Sequence, residues 1–110
     1  MRSESAAELA RMMQITTRTG TAAKVFRKAR RPVLEGVAVA AKTGTLIGDR
    51  PTRMYSWFVG FAPAEAPEVA IAVLLANDVT WRMKGNEVGR EVLGDYFHAR
   101  AEGTSPSARR

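Results

Sequence analysis

The chain has 110 residues, with 17 Lys and Arg against 11 Asp and Glu, a net charge of +6, no cysteine and a single histidine, His98. These counts exclude a thiol nucleophile, a disulfide framework and a cysteine-based zinc site; one histidine forms no metal cluster, and no cofactor is expected. The length suits one domain, with ordinary globular fractions of 45% hydrophobic and 25% charged residues, and the longest apolar run, residues 69–76, falls far short of the roughly 20 residues a bilayer span needs.

At the N-terminus, Met1-Arg2-Ser3-Glu4-Ser5 lacks the apolar core of a signal peptide, so the sequence as written carries no targeting signal and no route out of the cytoplasm. Ser5-Ala6-Ala7-Glu8 fits a capping box, and Ala6, Leu9 and Met13, with Met12 beside them, follow at helical spacing. A short amphipathic helix is therefore predicted through about Gln14, broken by Thr16-Thr17-Arg18-Thr19-Gly20-Thr21. A weaker second helix is predicted over residues 22–28, and Pro32 and Gly36 mark a turn region. His98 is expected to sit partly exposed at a helix end.

From Val37 the texture changes. Residues 37–45, small and β-branched, read as a strand, and residues 46–53, which hold Gly48, Asp49 and Pro51, read as a loop. A second strand over 54–62 places Tyr55, Trp57, Val59 and Phe61 on one face, with Phe58 making the other partly apolar. Trp57 and Phe58 are expected in the core. Residues 63–67 form a turn of hairpin length. A third strand over 68–76 alternates Val69, Ile71, Val73 and Leu75 with Ala70, Ala72, Leu74 and Ala76, so both of its faces are apolar and both need cover.

Residues 77–85 read as a polar loop with Trp81 and Met83 partly buried. Residues 86–99 return to helical spacing with a stripe of Val88, Val92, Leu93, Tyr96 and Phe97, weakened by Gly89 and Gly94 at roughly 1 kcal/mol each relative to alanine. Residues 102–110, rich in Gly, Ser, Pro and Arg, are expected to be disordered. The connections between strands are too short for parallel crossovers, so the expected class is α+β: a three-stranded antiparallel sheet portion with flanking N- and C-terminal helices. Beyond a short echo of Thr19-Gly20-Thr21 in Thr43-Gly44-Thr45, no internal repeat is visible.

The residues that point to chemistry are Lys42-Thr43-Gly44-Thr45 at a strand end. They offer a fixed positive charge and two hydroxyls on one side of a strand, a combination suited to gripping a carboxylate. Gly44 removes a side chain where a peptide would approach the backbone, and the Thr45 amide is a candidate donor to a developing oxyanion.

The tetrapeptide does not stand alone. Residues 36–45, then Tyr55-Ser56-Trp57-Phe58-Val59-Gly60-Phe61-Ala62-Pro63, then Val69-Ala70-Ile71-Ala72-Val73, resemble the end of penicillin-binding transpeptidase domains. There a K-[ST]-G-T strand precedes a W-F-x-G-[FY]-x-P strand, a second apolar strand and a C-terminal helix. Gly20-Thr21-Ala22 and the Arg-rich turn before Val37 are also similar to the family's run-in. The resemblance covers roughly residues 6–97 and implies part of a β-lactamase/transpeptidase-like fold. It divides the chain into residues 1–98, the C-terminal part of a transpeptidase domain, and residues 99–110, a disordered basic tail.

What the resemblance implies is a serine acyltransferase that cross-links peptidoglycan stem peptides ending in D-Ala-D-Ala and is acylated by β-lactams, at the cell envelope on the periplasmic face of the inner membrane. Lys42 and Thr45 become the catalytic residues, Lys42 as the cation near the nucleophile and Thr45 N–H as an oxyanion donor. Thr43, Gly44 and Thr45 become the substrate-binding residues.

The chain departs from the family pattern in two motifs. None of Ser3, Ser5, Ser56, Ser105 and Ser107 is followed by Lys three positions on, and no S-x-N occurs. The nearest imitation, Thr21-Ala22-Ala23-Lys24, reads as helix surface, because a nucleophile needs a paired base. The chain is therefore expected to be a fragment that does not catalyse alone and whose partner is the missing N-terminal part of the domain. Two alternatives remain: a fragment of a serine β-lactamase or D,D-carboxypeptidase, and a basic module binding an acidic polymer through residues 27–31. No aromatic residues interleave with that Arg cluster, so nucleic acid is not expected as a partner.

Overall fold

A computed structural model describes residues 1–27, 36–50, 52–78 and 83–103. Its elements are α1 (Ser3–Arg18), α2 (Ala23–Arg27), β1 (Ala40–Asp49), β2 (Thr52–Ala62), β3 (Val69–Asn77) and α3 (Gly85–Ala101). The strands form one antiparallel sheet in the order β1-β2-β3, with helices contributed from both ends of the chain. This is the expected α+β arrangement.

Helix α1 runs four residues past the predicted end, through Thr16 and Thr17. A tertiary contact outweighs the weak helix propensity of threonine: the buried Thr17 hydroxyl donates to Val39 O at 2.7 Å, tying the helix to the entry of β1. The predicted capping box does not form. The N-cap is Arg2, Ser5 lies within the helix, and the Glu8 carboxylate pairs instead with Arg11. The apolar stripe of α1 stays largely outside, with Leu9 and Met12 exposed; only Thr17 is buried.

The segment predicted as a loop over 46–53 is mostly sheet. Leu46↔Tyr55, Ile47↔Met54, Gly48↔Arg53 and Asp49↔Thr52 all pair, so the two strands stay in register through most of that segment. Leu46-Ile47 continue a strand-forming texture across the point where Gly48 suggests a break. The third strand and the last helix fall where the sequence places them, within about two residues at each boundary.

Side chains alternate across a sheet, so the register sorts each strand into two faces. Ser56, Phe58, Val73 and Asn77 are buried on the face that carries α3 and α2. Phe58, fully buried, stacks on Phe26 of α2 with ring centroids 5.8 Å apart, and Leu93 and Phe97 of α3 complete the cluster. Of the two β2 residues expected in the core, Phe58 is there and Trp57 is not: Trp57 and Val59 lie on the more open face, with Leu74 beside them. Shape complementarity decides the side. Gly85 and Gly89 leave α3 without side chains where it crosses β2, and a Cβ on Gly89 would sit 2.4 Å from the Phe58 ring. Gly89, expected to weaken the stripe, thus makes room for the fully buried Phe58 ring.

His98 lies on the outer side of α3, its Nε2 3.1 Å from Glu102 Oε1, as expected for a helix end. Met83, predicted partly buried, is exposed. Helix α3 continues to Ala101, with Ala99 buried. Trp81, the basic run 28–31 and residues 104–110 lie outside the described residues.

Candidate functional site

Lys42, Thr43, Gly44 and Thr45 all lie within β1, which is an edge strand of the sheet. Thr43 is opposite Phe58 and Thr45 opposite Ser56, so the two hydroxyls share the helix-bearing face. Lys42 is opposite Val59 and Gly44 opposite Trp57, on the other face. The exposed Lys42 ammonium folds back along the strand and donates to Thr43 O at 2.6 Å. The structure therefore brings the two hydroxyls together and sets the ammonium across the sheet edge from them.

Thr43, Gly44 and Thr45 line a recess of about 450 Å³ together with Thr21, Met54, Ser56, Trp57, Lys84 and Asn86. Three elements supply these walls. The start of α3 contributes Lys84 and Asn86, and its docking is fixed by the buried Ser56 hydroxyl, which accepts the Gly85 N–H at 2.7 Å. The Glu87 carboxylate accepts the Lys84 N–H at 2.8 Å and completes the first turn. The turn between α1 and α2 contributes Thr21, whose Oγ1 lies 2.7 Å from Thr43 Oγ1.

Gly44 is not a packing requirement of the described fold. A Cβ there would meet Trp57 Cβ at 3.6 Å, an ordinary contact, whereas a Cβ on Gly60 would lie 2.7 Å from Ala40 O. Trp57, expected in the core, is 41% exposed and forms part of the recess wall. Phe58, its neighbour, is the core residue of the pair.

Sequence reasoning places the tetrapeptide on a strand but misses Thr21, Ser56, Lys84 and Asn86. The sequence places Thr21 on a helix surface, whereas the structure puts it in the turn ahead of α2. The one signal for it was the Thr-Gly-Thr echo, whose two copies meet through their hydroxyls.

Comparison with known proteins agrees with this architecture. Residues 1–98 match the penicillin binding protein transpeptidase domain. The chain belongs to that family. Among curated proteins, it is 47% identical over 47 residues to the peptidoglycan D,D-transpeptidase PbpA of Mycobacterium tuberculosis. The protein of the same name from Mycolicibacterium smegmatis is 43% identical over 47 residues. Each match spans 40% of this chain and 10% of the relative.

Proposed function

We propose that this chain is the C-terminal segment of a penicillin-binding D,D-transpeptidase and supplies the carboxylate-binding half of its active site. The Thr43 and Thr45 hydroxyls hold the terminal carboxylate of a D-Ala-D-Ala stem peptide or of a β-lactam. Gly44 lets that peptide lie against the strand, and the Thr45 N–H is one oxyanion donor. Lys42 is the cation beside the nucleophile once the upstream segment is in place, swinging away from the Thr43 carbonyl it caps in the isolated chain. The nucleophilic serine and its S-x-x-K lysine come from that upstream segment, so the chain alone does not acylate. The working location is the cell envelope, where peptidoglycan is cross-linked.

The observation that carries this reading is the pairing of Thr43 and Thr45 on one side of an exposed sheet edge, facing an open polar recess. The neutral packing environment of Gly44 supports it, since the missing side chain answers no need inside the described fold. The test is labelling with a fluorescent penicillin, alone and after mixing with the upstream half of a related transpeptidase. The expected result is no label on this chain, label on the upstream half after mixing, and loss of that label with Lys42→Ala. A well-folded mixture that never labels contradicts the reading.

A further inference from the structure

The turn after α1 is built to hold one side chain in place. Gly20 N–H donates to Ile15 O at 2.7 Å and Ala22 N–H to Thr16 O at 2.9 Å, so the backbone doubles back on the helix end. A Cβ on Gly20 would lie 2.8 Å from Thr16 Cα, which leaves no room for another residue there. Upstream, Thr17 is bonded to Val39 O; downstream, Ala22 and Ala23 are buried. Thr21 sits between these two anchors with its hydroxyl 2.7 Å from that of Thr43.

We propose that Thr21 is a positioning residue that fixes the direction of the Thr43 hydroxyl for an incoming carboxylate; the inference rests on the reading of Lys42-Thr43-Gly44-Thr45 given above. A hydroxyl has one proton and two acceptor sites. When Thr21 O–H donates to Thr43 Oγ1, the Thr43 proton is left to point into the recess and donate to an anion. In the opposite direction that proton is used on Thr21, and Thr43 has none to offer. A bound carboxylate selects the first arrangement, and each bond in the resulting chain polarises the next. Thr21 also restricts Thr43 to one of its staggered rotamers, so the ordering is done before the ligand arrives.

The test separates positioning from simple stapling of α1 to the sheet. In the free 110-residue chain, three-bond couplings of the Thr43 methyl carbon report its χ1 angle. A single rotamer is expected in the parent chain and in Thr21→Ser, and rotamer averaging in Thr21→Val. In the mixture with an upstream half-domain, Thr21→Val slows acylation by penicillin about three- to tenfold, the size of one oriented hydrogen bond, and Thr21→Ser restores it. Acylation by the penicillin methyl ester, which has no carboxylate to orient, is slow with every variant and unaffected by Thr21→Val. Unchanged Thr43 couplings in Thr21→Val, or an equal loss with acid and ester, overturn the proposal. A mixture that acylates with neither compound counts against the reading of the tetrapeptide, and the couplings then decide the role of Thr21 by themselves.

Discussion

On the helix side of the sheet Phe58 is fully buried, while one residue away Trp57 is 41% exposed, Val59 is 38% exposed and cross-strand Leu74 is 48% exposed. Both faces are apolar, and the open one carries the larger side chains of β2. Hydrophobicity therefore does not choose which face the helices cover. The choice is made by fit: α3 presents Gly85 and Gly89 to the β2 backbone and the Phe58 ring, and a helix without those glycines could not come as close. The other face is closed only at one end, where α1 meets β1, Ala40 is fully buried, and Met13 of α1 shares a shallow recess with Val59, Phe61, Ala70 and Ala72; Trp57, Val59 and Leu74 stay exposed.

The difference between the faces is open to direct attack. Phe58→Ala should cause the largest loss, about 3–5 kcal/mol, because it empties the centre of the cluster that joins α2, α3 and the sheet. Urea unfolding is the measurement, and a loss below about 1 kcal/mol would show that the core lies elsewhere. Gly89→Val comes next, at about 1–3 kcal/mol, since its side chain must displace the Phe58 ring. Combining it with Phe58→Leu should recover part of that loss, a coupling that a double-mutant cycle reads directly. Leu74→Thr, on the open face, should change stability by no more than about 0.5 kcal/mol.

Much of this fold was legible in the sequence where local pattern and tertiary need agree. The alternation of Val69, Ile71, Val73 and Leu75 gives β3, and the Leu93, Tyr96 and Phe97 spacing gives α3. Three features were hidden for identifiable reasons. The β1–β2 hairpin extends to Asp49↔Thr52 because pairing with Tyr55 and Met54 overrides the break that Gly48 suggests. Helix α1 passes through Thr17 because its hydroxyl has a partner 22 positions away. The covered face of β2 depends on glycines in a helix that begins 23 residues after that strand ends, a relation no local window contains.

The candidate site divides in the same way. Thr43, Gly44 and Thr45 could be named because they are consecutive and lie on a strand. Thr21 could not, since its contact with Thr43 depends on the reversal at Gly20. Lys84 and Asn86 reach the recess only through the docking of α3 on Ser56. A run of consecutive residues on one strand was legible, and the walls around it were not.

The central claim is that the Thr43-Gly44-Thr45 strand grips a peptide carboxylate, and a titration of the isotope-labelled chain tests it most directly. N-acetyl-D-Ala-D-Ala and its C-terminal amide would be added in parallel while backbone amide and threonine methyl signals are followed. The account predicts saturable shifts confined to Thr21, Thr43, Gly44, Thr45 and their recess neighbours with the acid, and several-fold weaker binding of the amide. Equal responses to acid and amide, or shifts that leave Thr43 and Thr45 untouched, would contradict it.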